Sequence, residues 1–134
     1  MSPKAPAIAP DLVHQFVNDA HNDLNSVKKL IKKDPTLVNS SWDWGGGDWE
    51  TGLGAAAHMG RKDIAEFLLQ RGARIDLFAA AMLGKLAIVK AVMDDNPSVV
   101  DQLGPHGIKL ITHAKKGGKD AANVVKLLQS AGKS

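Results

Sequence analysis

The sequence predicts an all-α domain built from stacked helix pairs, on three observations. Residues 22–39 align without gaps with residues 84–101: Leu24 meets Leu86, Val27 meets Val89, Lys28 meets Lys90, and Pro35 meets Pro97. Leu24, Val27, Leu30 and Ile31 recur at i, i+3 and i+4 spacing, which puts them on one helical face. Alanine runs at 55–57 and 79–81 leave room for two helices to approach closely. One such pair cannot hide its apolar face alone, so neighbours must stack to share a core.

Taken in order, residues 1–10 (MSPKAPAIAP) read as a flexible leader, rich in Ala and Pro. They lack the apolar core of a signal peptide. A first helix pair spans 11–41 and stops before Pro35, since the residue preceding proline is pushed out of helical geometry. The second unit, 42–76, opens with a Trp- and Gly-rich loop and closes at Gly72, which accepts a left-handed conformation. The third, 77–103, ends its second helix at Pro97, and the fourth, 104–133, has a longer turn around Gly117-Gly118. Only 24 residues separate Gly60 from Gly84, whereas 33 separate Gly84 from Gly117. The third unit therefore lacks room for a projecting loop.

Composition narrows the function classes. The chain has 134 residues, a single domain's length, and 17 basic against 14 acidic side chains, a net charge of +3. No apolar run reaches the roughly 18–20 residues of a membrane span. With zero cysteines there is no disulfide, thiolate or cysteine-ligated zinc. Lys28, Lys29, Lys32 and Lys33 are far along the chain from Lys115, Lys116 and Lys119, and no dense basic stripe with aromatics marks a nucleic-acid surface. The compartment stays open: cytoplasmic by default, with export after signal removal as the alternative.

Residues 51–76, T-G-L-G-A-A-A-H-M-G-R-K-D-I-A-E-F-L-L-Q-R-G-A-R-I-D, resemble an ankyrin repeat. Thr51, Leu53, Ala56, Ala57, Gly60, Ile64, Leu68, Leu69, Gly72 and Ala73 fall on the family's signature positions. Gly52 stands where the family has proline and Gly54 where it has histidine, so a side chain that ties neighbouring turns together is missing. The endings D-P-T-L-V-N and N-P-S-V-V-D look like a bacterial variant whose second helix ends at proline. The resemblance extends over residues 11–132 and implies a solenoid of about four repeats, of roughly 33 residues each in the family.

All three tryptophans fall in W-D-W-G-G-G-D-W-E, residues 42–50. In the family this position is a hairpin finger, and Gly45, Gly46 and Gly47 can take the positive φ angles of a tight reversal. Strand alternation would place Trp42 and Trp44 on one face, with Trp49 on the returning arm. Two readings stay open. The indoles pack on the first helix pairs and stiffen the finger, or at least one is an exposed interface anchor rimmed by Asp43, Asp48 and Glu50.

No motif carries chemistry. Asp43, Asp48 and Glu50 sit on a glycine-rich finger rather than on rigid elements around a pocket, so they do not read as a glycosidase pair. His14 and His21, seven apart, can share a helix face, but two nitrogens make no closed metal site. His58, His106 and His113 read as hydrogen-bonded structural histidines, and no zinc-peptidase pair, phosphate-binding loop or nucleophile elbow is present. The expectation is a non-enzymatic protein with no catalytic residue, metal or cofactor.

The resemblance implies a concave face formed by fingers and first helices. It would carry Trp44, Asp48, Trp49, Glu50, His58 and Met59 in the second unit, Met82 and Leu83 in the third, and Lys115 and Lys116 in the fourth. Met59, Met82 and Leu83 would form an exposed apolar strip, as at interfaces. The expected function is binding of another protein by a monomer, with no nucleic acid and no membrane. The alternative is a small-ligand binder, the Trp42/Trp44/Trp49 loop closing over a cleft left by the missing third finger.

Overall fold

A computed structural model describes residues 4–132. Residues 1–3 of the expected leader and Lys133 at the end of the expected domain lie outside the described residues. Residues 4–9 form no regular element, but Ile8 packs against the core and α1 begins at Pro10. Proline suits that first helical position because its missing N–H has no partner to lose.

Eight α-helices follow: α1 Pro10–Asp19, α2 Leu24–Lys33, α3 Gly52–His58, α4 Lys62–Gln70, α5 Leu77–Met82, α6 Leu86–Asp95, α7 Leu110–Lys116 and α8 Ala122–Ala131. Side-chain caps start three of them. Asp23 accepts from the Ser26 N–H, Thr51 from Gly54 and Asp76 from Ala79, each satisfying a donor that the helix leaves free. Pro35 and Pro97 do more than stop α2 and α6. Each opens a short 3-10 turn, Pro35–Asn39 and Pro97–Asp101, that buries Leu37 or Val99.

The helices pack in two rows. α1, α3, α5 and α7 lie against one another in succession, while α2 meets α4 and α6 meets α8. Ala55, Ala56, Ala57, Ala79, Ala80 and Ala81 are all fully buried along the first row. Small side chains allow this contact, and so does glycine. A Cβ on Gly117 would lie 2.0 Å from the Met82 carbonyl oxygen, so the turn after α7 sits directly on the end of α5.

That contact corrects one expectation. Met82 is not at the surface: it is 0% exposed, closed in at the end of a helix that has α3 on one side and α7 on the other. Leu83 is half-buried against the core, so only Met59, 44% exposed, remains of the apolar strip.

The third unit has no strand, as its length requires. The chain passes from Gly72 into α5 at Leu77 with only a short turn. In place of a third finger, the turn Pro105–Gly107 reaches back toward the second, and this decides the site.

Candidate functional site

The tryptophan loop is a hairpin. β1, Ser41–Asp43, pairs antiparallel with β2, Trp49–Thr51, in the register Ser41 to Thr51, Trp42 to Glu50 and Asp43 to Trp49. Gly45, Gly46 and Gly47 take φ of 131°, 64° and 86°, the left-handed values that only glycine adopts without strain. The Asp43 carboxylate accepts the N–H groups of Gly45 and Gly47 at 2.8 and 3.0 Å, so it holds the reversal instead of rimming an interface.

The three indoles have different surroundings. Trp42 stacks on the exposed His14 of α1 at 4.9 Å, and Trp44 meets the same ring edge-on at 5.3 Å. Both are partly buried against the core. Trp49, on the returning arm, is 60% exposed.

Glu50 lies opposite Trp42 in the register, and its environment corrects a second expectation. It is not a surface acid but 1% exposed, one of two buried polar or charged side chains among the described residues. Trp44 Nε1 donates to its Oε1 at 3.0 Å. Three imidazoles converge on the same carboxylate: His21 Nε2 lies 3.1 Å from Oε1, while His58 Nε2 and His106 Nε2 lie 3.0 and 3.2 Å from Oε2. Burial by itself would raise the Glu50 pKa, but the imidazoles of His21 and His58 outweigh it and hold the carboxyl down at about 2. The same contact raises the His21 pKa against the opposing effect of its own burial.

Each imidazole comes from a different segment. His21 stands in the turn between α1 and α2, with Nδ1 3.0 Å from the carbonyls of Val17 and Asn18. Both partners are acceptors, so that nitrogen carries the proton. His58 is the last residue of α3. His106 is held at φ 62°, an uncommon value for a non-glycine residue. Asp48 secures it there: one oxygen accepts the His106 N–H at 2.8 Å, and the other lies 2.6 Å from Nδ1. The His106 N–H, with the imidazole beside it, lowers the Asp48 pKa.

Gly54, where the resemblance expects a histidine, makes the approach possible. A Cβ there would meet Glu50 Cγ at 3.6 Å and Pro105 Cγ at 3.7 Å, so a large side chain would press on both. Gly52 has a similar reason: a Cβ there would lie 2.6 Å from the Phe16 ring. The space beside the finger, expected to be free, is taken by Pro105 and His106. Only an open depression of about 310 Å³ remains, lined by Asn18, His21, Asn22, Trp44 and His106.

The remaining residues lie apart from this cluster. Met59, Lys115 and Lys116 are exposed at the ends of α3 and α7. His113 is buried, donating from Nδ1 to the Lys109 carbonyl at 2.8 Å and packing 4.8 Å from the Phe78 ring. His14 and His21 do not act together; His21 instead joins Glu50, His58 and His106, whose chain separations hide them from any local motif. The signals were Gly54 in place of a large residue and the Pro105-His106-Gly107 turn in the unit after the missing finger.

Helix pairs entered through Thr-capped and Asp-capped turns, with a hairpin finger ahead of the second pair, define the repeat class. The family model for the ankyrin repeat matches residues 48–78, which supports an ankyrin repeat protein. Members of that family are generally protein-interaction modules and are typically non-enzymatic. Comparison with curated proteins found no match. Among the described residues, no helix is long and apolar enough to cross a membrane.

Proposed function

We propose that the four helix pairs form a four-repeat ankyrin solenoid, with repeats at about 11–41, 42–76, 77–103 and 104–133, that binds another protein as a monomer. The observation that carries this reading is Trp49, 60% exposed on a finger whose other two indoles are packed down. A rigid, accessible indole supplies much contact area at little entropic cost, which is why tryptophan is frequent at binding hot spots. Met59 and the exposed Lys115 and Lys116 extend the surface; the backbone of Lys116 lies against Gly60, beside Met59. The partner then presents an apolar pocket flanked by acidic groups. Glu50, His58, Trp44 and Met82 serve this surface from beneath and do not touch the partner.

Affinity capture from the source organism with wild-type and Trp49→Ala protein tests the proposal. The wild type is expected to retain a partner that Trp49→Ala loses and Lys115→Glu/Lys116→Glu weakens. Equal capture by all three proteins would sink it. For the small-ligand alternative there is the open depression lined by Trp44 and His106.

A further inference from the structure

We propose that His21, Glu50, His58 and His106 form a binding site for one divalent first-row transition-metal ion, of which zinc is the type. The four side chains offer one ligand atom each, and these atoms all lie within 4.8 Å of one another. Three imidazole nitrogens and one carboxylate oxygen form a mixed nitrogen and oxygen set that suits zinc, cobalt, nickel or copper; magnesium and calcium prefer oxygen alone.

The distances fit. Metal bonds of about 2.0–2.1 Å in a tetrahedron place ligand atoms about 3.3 Å apart. With Glu50 Oε2 as the ligand atom, His58 Nε2 and His106 Nε2 lie 3.0 and 3.2 Å from it, while His21 Nε2 lies 3.1 Å from the other oxygen, Oε1. The wider separations, up to 4.8 Å, must close by as much as about 1.5 Å.

Protonation supplies an independent observation. The Nδ1 proton of His21 is committed to the Val17 and Asn18 carbonyls, and Nδ1 of His106 faces the Asp48 carboxylate. In the neutral imidazole the other nitrogen then carries a lone pair, and on both residues that nitrogen is Nε2, aimed at Glu50. Glu50 Oε2 and His58 Nε2 are buried and 3.0 Å apart, yet neither has a hydrogen-bond partner among the described residues. On the neutral rings of His21 and His106, lone pairs would therefore point at the buried carboxylate. Either several protons or a single cation must lie between them. Protons require His21 and His106, whose ring centroids are 6.4 Å apart, both to become imidazolium beside the one carboxylate. One divalent ion satisfies all four ligands while the imidazoles stay neutral.

The outer partners match those of metal-bound histidines. A carboxylate behind His106 and carbonyls behind His21 fix the rings in the tautomer a metal needs, and Trp44 Nε1 holds the Glu50 oxygen that is not shared by His58 and His106. The depression lined by Asn18, Asn22 and Trp44 is the entry path. Such an ion would bind the first helix pair, the finger and the His106 turn together, so it would stabilise the fold by an amount that rises with the logarithm of free metal above its Kd.

The test uses the whole chain, stripped with chelator and titrated with Zn(II) and separately with Co(II). The expected result is one equivalent bound per chain at micromolar metal, a rise in melting temperature, and a Co(II) visible spectrum of the intense, low-coordination type. His58→Gln and His106→Ala should each weaken binding by at least about 100-fold, because changes to outer partners alone cost about 10–100-fold. Asp48→Asn should fall in that smaller range, and His14→Ala should leave binding unchanged. Circular dichroism of each metal-free variant shows whether it is folded. Stoichiometry well below one on the wild type would overturn the proposal without reference to any variant. Binding that is millimolar, or that survives His58→Gln and His106→Ala in folded protein, would also overturn it.

Discussion

Asp48 and His106 are 58 residues apart in the chain and hold each other through two contacts, one to the His106 backbone N–H and one to its ring. The first fixes a backbone in the left-handed region, and the second aims the ring at Glu50. Asp48→Asn keeps the shape but loses the charge that strengthens both bonds. The expected outcome is faster amide exchange at His106 and at Gly107, with exchange in α6 unchanged. Unaltered exchange at His106 would show that the turn holds its conformation without Asp48.

The tryptophans should separate in fluorescence. Trp49→Phe is expected to remove the red-shifted, acrylamide-quenchable part of the emission, whereas Trp42→Phe and Trp44→Phe remove protected emission. Stability should change by less than about 0.5 kcal/mol for Trp49→Phe, as at other exposed sites. A blue-shifted signal that persists unquenched in every variant would mean that Trp49 is covered, and the interface reading would lose its anchor.

Two glycine substitutions separate crowding from backbone strain. Gly117 has an ordinary φ of −75°, but an added Cβ would lie 2.0 Å from the Met82 carbonyl and 2.6 Å from the Ala121 Cβ. Neither can yield without moving a helix, so Gly117→Ala should cost about 3 kcal/mol or more, at or above the upper end for overpacking. Gly72 has φ 97° and open space around it, so Gly72→Ala should cost only the left-handed penalty of about 1–2 kcal/mol. Urea denaturation of both variants gives the order. A smaller loss for Gly117→Ala would contradict the close seat of the last turn on α5.

His113 gives the chain a defined pH response. Burial pushes its pKa down, the Lys109 carbonyl opposes this, and His58 lowers it further while Asp76 and Glu50 raise it. Protonation would leave a charged Nε2 buried without a partner among the described residues. Below pH 6.5 the unfolded chain takes up a proton that folded His113 resists, so its contribution to stability falls as the pH drops. His21 has the opposite sign, so the comparison must be made against a variant. Between pH 7 and 5, His113→Leu should lose less stability than the wild type. Equal slopes would mean that His113 protonates in the folded state as readily as in the unfolded one.

The sequence by itself determined the helix pairs, their proline and glycine boundaries, and the hairpin finger. These follow from local rules: apolar spacing, the bias of the residue before proline, and the φ freedom of Gly45, Gly46 and Gly47. It also determined that the third unit has no finger, because 24 residues between Gly60 and Gly84 leave no chain for one. What occupies that gap was decided only in three dimensions. Pro105 and His106 fold across it, which no period in the chain announces, and they convert Glu50 from an expected surface acid into a buried carboxylate ringed by three imidazoles. Met82 moved inward for a related reason, since α5 is flanked by α3 and α7 at once. Periodicity records which face of a helix is apolar. It cannot record how many neighbours will cover that helix, because burial depends on segments far away in the chain, and the same is true of a site whose four side chains come from four separate segments.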